Sequence, residues 1–168
     1  MKNYQIVDNF LATEEFKKIQ SVMIGNSFPW YFGSVIMQPT EYSKIDENYN
    51  FQFFHIFYKD FRPSSELFQL MSPLIEKINP KCILRIKANL VPRTDEIVEH
   101  GFHIDFENAC TCVFYLNTNN GYTKFNDGTI VNSLENRAVF FDSNMRHTGT
   151  TATDISNRMV ININYIGH

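Results

Sequence analysis

The 168-residue sequence predicts a mainly β fold in which two helices lay apolar stripes against a β-layer. Three observations point there. Sixteen Phe, eight Tyr and one Trp supply large side chains that favour strands and bury extensive surface. Two apolar stripes at helical spacing lie ahead of Cys82, and beyond it the pattern changes to alternation with period two. Turn signals then punctuate the second half, at Asn119-Asn120-Gly121 and at Asp127-Gly128. A chain of this length buries about two-thirds of its unfolded surface, so one domain over residues 1–168 can hold a core without staples.

Tyr4 to Leu11 reads as a short strand that closes on Asp8-Asn9. Thr13 is placed to cap a first helix with Glu14 and Glu15 in its opening turn; Phe16, Ile19 and Met23 recur on one face, and Gly25-Asn26 ends it. Phe28 to Met37 is aromatic and extended, with Trp30 and Tyr31 expected in the core, the alternative being a substrate platform. Pro39 to Asn50 is polar, a loop that could also serve as a flap. Asn50 to Tyr58 reads as a buried strand in which His55 is a hydrogen-bonded core histidine. Ser64 or Ser65 then caps a second helix, whose stripe of Leu67, Leu70, Met71, Leu74, Ile75 and Ile78 is interrupted near Pro73.

From Ile83 to Leu90 the polar Arg85, Lys87 and Asn89 alternate with Ile86, Ala88 and Leu90, so one strand face is polar, either half-exposed surface or part of a site. Pro92 to Gly101 is a charged connection. In the next strand Thr111, Val113, Tyr115 and Asn117 share one face, and Cys110, Cys112, Phe114 and Leu116 share the other. Cys110 and Cys112 read as buried thiols, and with Cys82 make three cysteines that cannot all pair. Asn119-Asn120-Gly121 is expected to join antiparallel strands as a hairpin into Tyr122 to Phe125, and Asp127-Gly128 makes a second turn before Thr129 to Val131. Ala138 to Phe141 forms a strand feeding the loop that carries His147; Arg137 and Arg146 read as surface charges and Asp142 as a turn residue.

The chemistry concentrates in His103-Ile104-Asp105. A histidine and a carboxylate two residues apart project to the same side of an extended chain, which supplies two ligands of a facial metal triad. His147 is the best third ligand; His100 competes with His103 but lacks a carboxylate two residues on. In the last strand Arg158 shares a face with Val160, Asn162 and Asn164, opposite Met159, Ile161 and Ile163. Two asparagines beside a buried cation are costly in a plain core and should line a polar cavity, where the guanidinium takes a carboxylate. That partner is either a ligand or an internal Asp or Glu.

This order and spacing, from His103-x-Asp105 through Tyr115-Leu116-Asn117, the turn, Thr123 and Phe125 to His147 and Arg158, resemble the iron- and 2-oxoglutarate-dependent oxygenases. The likeness is to the prolyl 4-hydroxylase-like branch, in the small versions carried by marine phages, and covers roughly residues 85 to 166. It implies a double-stranded β-helix, a jelly-roll of two antiparallel sheets with the metal at one open end. It also implies Fe(II) on His103, Asp105 and His147, with 2-oxoglutarate and O2 as cosubstrates and ascorbate as accessory reductant. Arg158, Tyr115, Thr123 and Asn89 would contact the 2-oxoglutarate. Val91 stands where the branch often has Tyr, and Asn164 where prolyl hydroxylases often have Trp, which weakens the case for a peptidyl-proline pocket.

The implied function is hydroxylation of a protein or small-molecule substrate, coupled to oxidative decarboxylation of 2-oxoglutarate to succinate and CO2. Alternatives are a nucleic-acid dealkylase of the same chemistry and a non-catalytic jelly-roll interaction domain. A net charge of −3 gives no global basic field for a nucleic-acid backbone, so nucleic acid is not expected as a partner. No apolar run approaches a membrane span and the opening residues lack a signal-peptide core, so the expected setting is soluble and cytoplasmic, the host cytoplasm for a phage protein.

Overall fold

The computed structural model describes residues 4–36 and 47–167. Most of the expected flap, Pro39 to Asn50, lies outside the described residues; its end forms a short 3-10 turn, Glu47–Tyr49. The strands are β1 (Tyr4–Val7), β2 (Tyr31–Gly33), β3 (Gln52–Lys59), β4 (Arg62–Pro63), β5 (Cys82–Pro92), β6 (Cys110–Tyr115), β7 (Tyr122–Phe125), β8 (Ile130–Asn132), β9 (Arg137–Asp142), β10 (His147–Gly149) and β11 (Asn157–Ile166). The helices are α1 (Thr13–Ile24) and α2 (Ser72–Ile78). An eight-stranded sheet runs β1-β9-β6-β11-β5-β3-β2 with β4 on β3, and a three-stranded sheet runs β10-β7-β8, every pairing antiparallel. This is the jelly-roll that the sequence implied.

The period-two alternation divides the large sheet into two environments. Its outer face, with Ile86, Ala88, Cys112, Phe114, Ile161 and Ile163, joins Phe16, Ile19 and Met23 of α1 and Leu74 and Ile78 of α2 in one apolar cluster. Val113, Tyr115, Val139, Phe141 and Val160 point the other way and meet Phe125 and Val131 of the small sheet. The helices therefore buttress one side and leave the inner side for a cavity.

Several local expectations change. Thr13 is the first helical residue of α1, not its cap; Ala12 holds that place without a side-chain bond, and the acidic Glu14 and Glu15 are what favour the terminus. Tyr31 is 56% exposed rather than core, whereas Trp30 packs on the core and donates its Nε1–H to the Met23 carbonyl at 3.3 Å. Ser65 does cap, accepting from the Leu67 amide at 3.0 Å, but it opens a 3-10 segment, Glu66–Met71. Pro73 then starts α2 instead of interrupting it, because the first turn of a helix needs no amide hydrogen from it. His55 is buried as expected, its ring nitrogens 2.8 Å from the Pro29 carbonyl and 2.8 Å from Ser65 Oγ.

The largest correction concerns Asn119-Asn120-Gly121. It joins no hairpin: β6 pairs with β9 and β11, and β7 pairs with β8 and β10, so the turn carries the chain from one sheet to the other. Asn119 Oδ1 accepts the Gly121 amide at 3.0 Å, a side-chain-closed turn that needs no positive φ. Asp127-Gly128 is a true hairpin turn between β7 and β8, with Gly128 at φ +88°. Among the described residues, no helix is long and apolar enough to cross a membrane.

Candidate active site

The three predicted metal ligands converge. His103 and His147 face one another across an isolated antiparallel bridge, exchanging backbone hydrogen bonds of 2.9 and 3.0 Å. A rung of this kind sets two side chains side by side, and here it brings the imidazole centroids to 4.7 Å. Asp105 completes the group, with its carboxylate oxygens 3.9 Å from the Nε2 atoms of both histidines; one donor atom from each of the three lies within 4.8 Å of the others. His147 Nδ1 is 3.0 Å from the Met145 carbonyl and His103 Nδ1 is 3.3 Å from that of Gly101. Nδ1–H donation to those carbonyls leaves each Nε2 lone pair turned inward, the tautomer a metal requires.

The protonation states suit a cation. Burial and the neighbouring His103 lower the His147 pKa, keeping its imidazole neutral. Burial pushes Asp105 upward, but the charge of Arg85 and a hydrogen bond from Asn164 outweigh it and hold the carboxyl below its ordinary value. Arg85 Nη2 donates to Asp105 Oδ1 and Asn164 Nδ2 donates to Asp105 Oδ2, each at 3.0 Å; Arg85 Nε and Asn164 Oδ1 bond at 3.1 Å. Thr111 Oγ1 accepts the same Asn164 amide at 3.0 Å. Thus Arg85 and Asn164, neighbours in register on β5 and β11, orient the carboxylate. The alternation marked Asn164 as inward-facing and left Arg85 open between surface and site, and their common partner Asp105 comes from the loop after β5, 20 residues from Arg85 and 59 from Asn164.

A cavity of about 250 Å³ connects this group to Arg158. Arg158 is 3% exposed; its Nε donates to Ser133 Oγ at 2.9 Å and its Nη2 to Thr123 Oγ1 at 3.3 Å. Tyr115, fully buried, lies behind Thr123 and donates its hydroxyl to Thr123 Oγ1 at 2.8 Å, while its ring sits 5.6 Å under the guanidinium. Among the described residues no carboxylate forms an ion pair with Arg158. A guanidinium stays charged even here, so this end of the cavity is built for an anion. Gly121 makes room for it, since a Cβ there would meet Arg158 Cδ at 2.7 Å and the Thr151 carbonyl oxygen at 2.6 Å.

Asn89, Asn162 and His100 also line the cavity. Asn89 Oδ1, Asn162 Oδ1 and His100 Nε2 are buried without a hydrogen-bond partner. Burial, together with the charges of Arg158 and His103, lowers the His100 pKa to about 4. His100, which the sequence offered as a competitor to His103, thus lies beside the triad as a neutral wall residue. Ser133 was missed, as nothing in the sequence around it marks a partner for Arg158. By donor chemistry, the triad fits a divalent first-row metal and the arginine end fits a small acid.

No protein-family model and no curated protein matches the sequence. Solved structures do. A Trichoplax adhaerens prolyl hydroxylase in complex with a peptide of the hypoxia inducible factor oxygen degradation domain superposes with a TM-score of 0.67 at 16% identity, over 99% of this chain and 84% of that one. A Burkholderia pseudomallei oxidoreductase of the 2OG-Fe(II) oxygenase family gives 0.67 at 12% identity, over 99% and 86%. A non-heme alpha-ketoglutarate-dependent epimerase of nogalamycin biosynthesis gives 0.65 at 13% identity, over 98% and 78%. The chain therefore has the fold of these oxygenases, a fold that also hosts an epimerase.

Proposed function

We propose that this protein is an Fe(II)- and 2-oxoglutarate-dependent dioxygenase that hydroxylates a protein or small-molecule substrate while decarboxylating 2-oxoglutarate to succinate and CO2. The observation that carries this reading is the joining, in one cavity, of a two-histidine, one-carboxylate group to a buried arginine with no acidic partner among the described residues. His103, Asp105 and His147 would hold Fe(II) through three of six octahedral positions, which leaves room for ligands from solution. Fe(II) so held would supply the redox chemistry that couples dioxygen to oxo-acid decarboxylation and to oxidation of a C–H bond.

The chain's own part is binding and orientation. Arg158 would fork onto the distal carboxylate of 2-oxoglutarate, with Thr123 offering a hydroxyl beside it and Tyr115 steering that hydroxyl from behind. Asn89, on the neighbouring strand, offers its amide to the same cavity. Arg85 and Asn164 would keep Asp105 ionised and in one rotamer, limiting loss of the metal. The half-exposed His103 marks the open side through which substrate would approach. A cytoplasmic setting agrees with three free cysteines and needs no disulfide.

Anaerobic titration tests the reading directly. Iron-loaded protein should bind 2-oxoglutarate with a visible charge-transfer band, and with oxygen and ascorbate should release succinate; His147→Ala should lose iron binding yet stay folded. Iron-loaded protein that binds no 2-oxoglutarate by calorimetry and shows no band would leave the fold standing and remove the oxygenase.

A further inference from the structure

Besides Arg85 and Arg158, the cavity contains a third cation that the roles above do not use. Lys87 lines it from β5, its ammonium 5.2 Å from the centroid of the Phe54 ring, and among the described residues it forms no ion pair with a carboxylate. Asp105, whose charge it feels, is already bonded by Arg85 and Asn164. Burial and the charge of Arg85 lower its pKa to about 8, so at neutral pH Lys87 still carries its proton. Two amides lie next to it: Asn162 is its cross-strand partner on β11, and Asn89 is two residues along the same face. The Oδ1 atoms of both are buried without a partner. A largely buried cation and two orphaned amide oxygens are costly unless a ligand brings an anion for the one and hydrogen-bond donors for the others.

That ligand is not accounted for by the cosubstrate. Asn162 lies four residues from Arg158 along β11, about 13 Å at the rise of an extended chain, so Lys87 and Arg158 serve different parts of the cavity. In the proposed reading one carboxylate of 2-oxoglutarate goes to Arg158 and the other to the metal. We infer that Lys87 receives a carboxylate of the substrate itself, with the orphaned Oδ1 atoms of Asn89 and Asn162 accepting from a donor beside it such as an ammonium, so that the substrate is a small free acid. This rests on the oxygenase reading. Arg85, two residues along the same face of β5, bonds Asp105 at 3.0 Å, so Lys87 lies close to the metal group and the C–H bond oxidised would lie within a few bonds of the bound carboxylate. One atom of O2 would enter that bond as a hydroxyl group and the other would end in succinate, with CO2 leaving. A residue in mid-chain of a polypeptide has no main-chain carboxylate to offer, so a free amino acid or similar acid fits better.

The test uses full-length protein loaded with Zn(II), which has no redox chemistry, and saturated with 2-oxoglutarate. Free amino acids, their carboxamides and inorganic phosphate are the probes, read by ligand-observed magnetisation transfer. Some free acids should bind and their carboxamides should not. Lys87→Met should weaken the acids by more than about tenfold and Lys87→Arg should restore them, while 2-oxoglutarate affinity by calorimetry stays within about twofold of the parent in both, which also shows that the variants are folded. Carboxamides binding as well as acids, phosphate displacing every acid, or no acid binding to protein that holds 2-oxoglutarate would each overturn the inference alone. A comparable loss of 2-oxoglutarate in Lys87→Met would hand the residue to the cosubstrate and overturn it as well. Failure of the parent to bind 2-oxoglutarate at all would overturn both readings.

Discussion

Strands β5 and β11 lie side by side through ten paired positions, yet their two faces do opposite things. On the outer face Ile86, Ala88, Ile161 and Ile163 are at most 1% exposed and pack into the helix-backed cluster. On the inner face the same two strands turn Arg85, Lys87, Asn89, Arg158 and Asn162 toward one cavity, and Asn164 onto the Asp105 carboxylate at its edge. One face gathers the apolar contacts that stabilise the fold, and the other spends part of that stability on desolvated charge and unpaired amides. The difference teaches that stability and ligand chemistry can be set independently on one pair of strands, since adjacent residues point to different solvents.

Substitutions can break that separation. Ile161→Ala should cost about 2–5 kcal/mol in urea unfolding through its cavity, with metal and 2-oxoglutarate affinities of the folded fraction unchanged. Arg158→Ala should do the converse: 2-oxoglutarate binding weakened by about 2–5 kcal/mol in anaerobic calorimetry, with a smaller loss of stability than Ile161→Ala. Similar unfolding losses for the two would show that the faces are not independent.

A pH series sharpens the inner-face cost. His100 has a folded pKa of about 4 against an ordinary 6.5, so between those values the unfolded chain binds the extra proton and stability falls as pH falls. The gap caps the effect at about 3 kcal/mol. Metal-free protein should lose stability on acidification from pH 6.5 to 4, and His100→Phe should flatten that slope in denaturant titrations. The smallest expected effect is on metal retention: Arg85→Met should lower Fe(II) affinity about 10- to 100-fold, as partners of ligating carboxylates do, measured by chelator competition.

How much of this was legible in the sequence depended on the range of each interaction. Alternation in β5 and β11 exposed the polar face, and the spacing of His103, Asp105, His147 and Arg158 marked the site, because a strand face is a local property. The pairing of Arg85 with Asp105 was not legible: it depends on how the loop from 93 to 109 returns, which no periodicity records. The pairing of Ser133 with Arg158 was hidden because the two are 25 residues apart and meet only through the fold. The turn at Asn119 was correctly located but assigned the wrong partners, since turn residues report that a chain reverses and not which sheet receives it. Thr13 and Pro73 show the shorter version of that limit, where helix boundaries move by a residue or two with the packing.

Gly121 has a consequence for inheritance. It does not sit at positive φ, so its backbone alone would accept many residues; what forbids them is the Arg158 side chain and the Thr151 carbonyl, within 2.7 Å of any added Cβ. The glycine belongs to the mould around an arginine 37 positions away, and only secondarily to a turn. A lineage that keeps the arginine must therefore keep an empty position 121, and one that loses it gains no freedom there while the Thr151 carbonyl oxygen stays 2.6 Å from the same point. Among descendants and relatives of this chain position 121 should therefore vary less than position 158, and a side chain at 121 with Arg158 retained would mark a protein whose anion anchor has been pushed out of place.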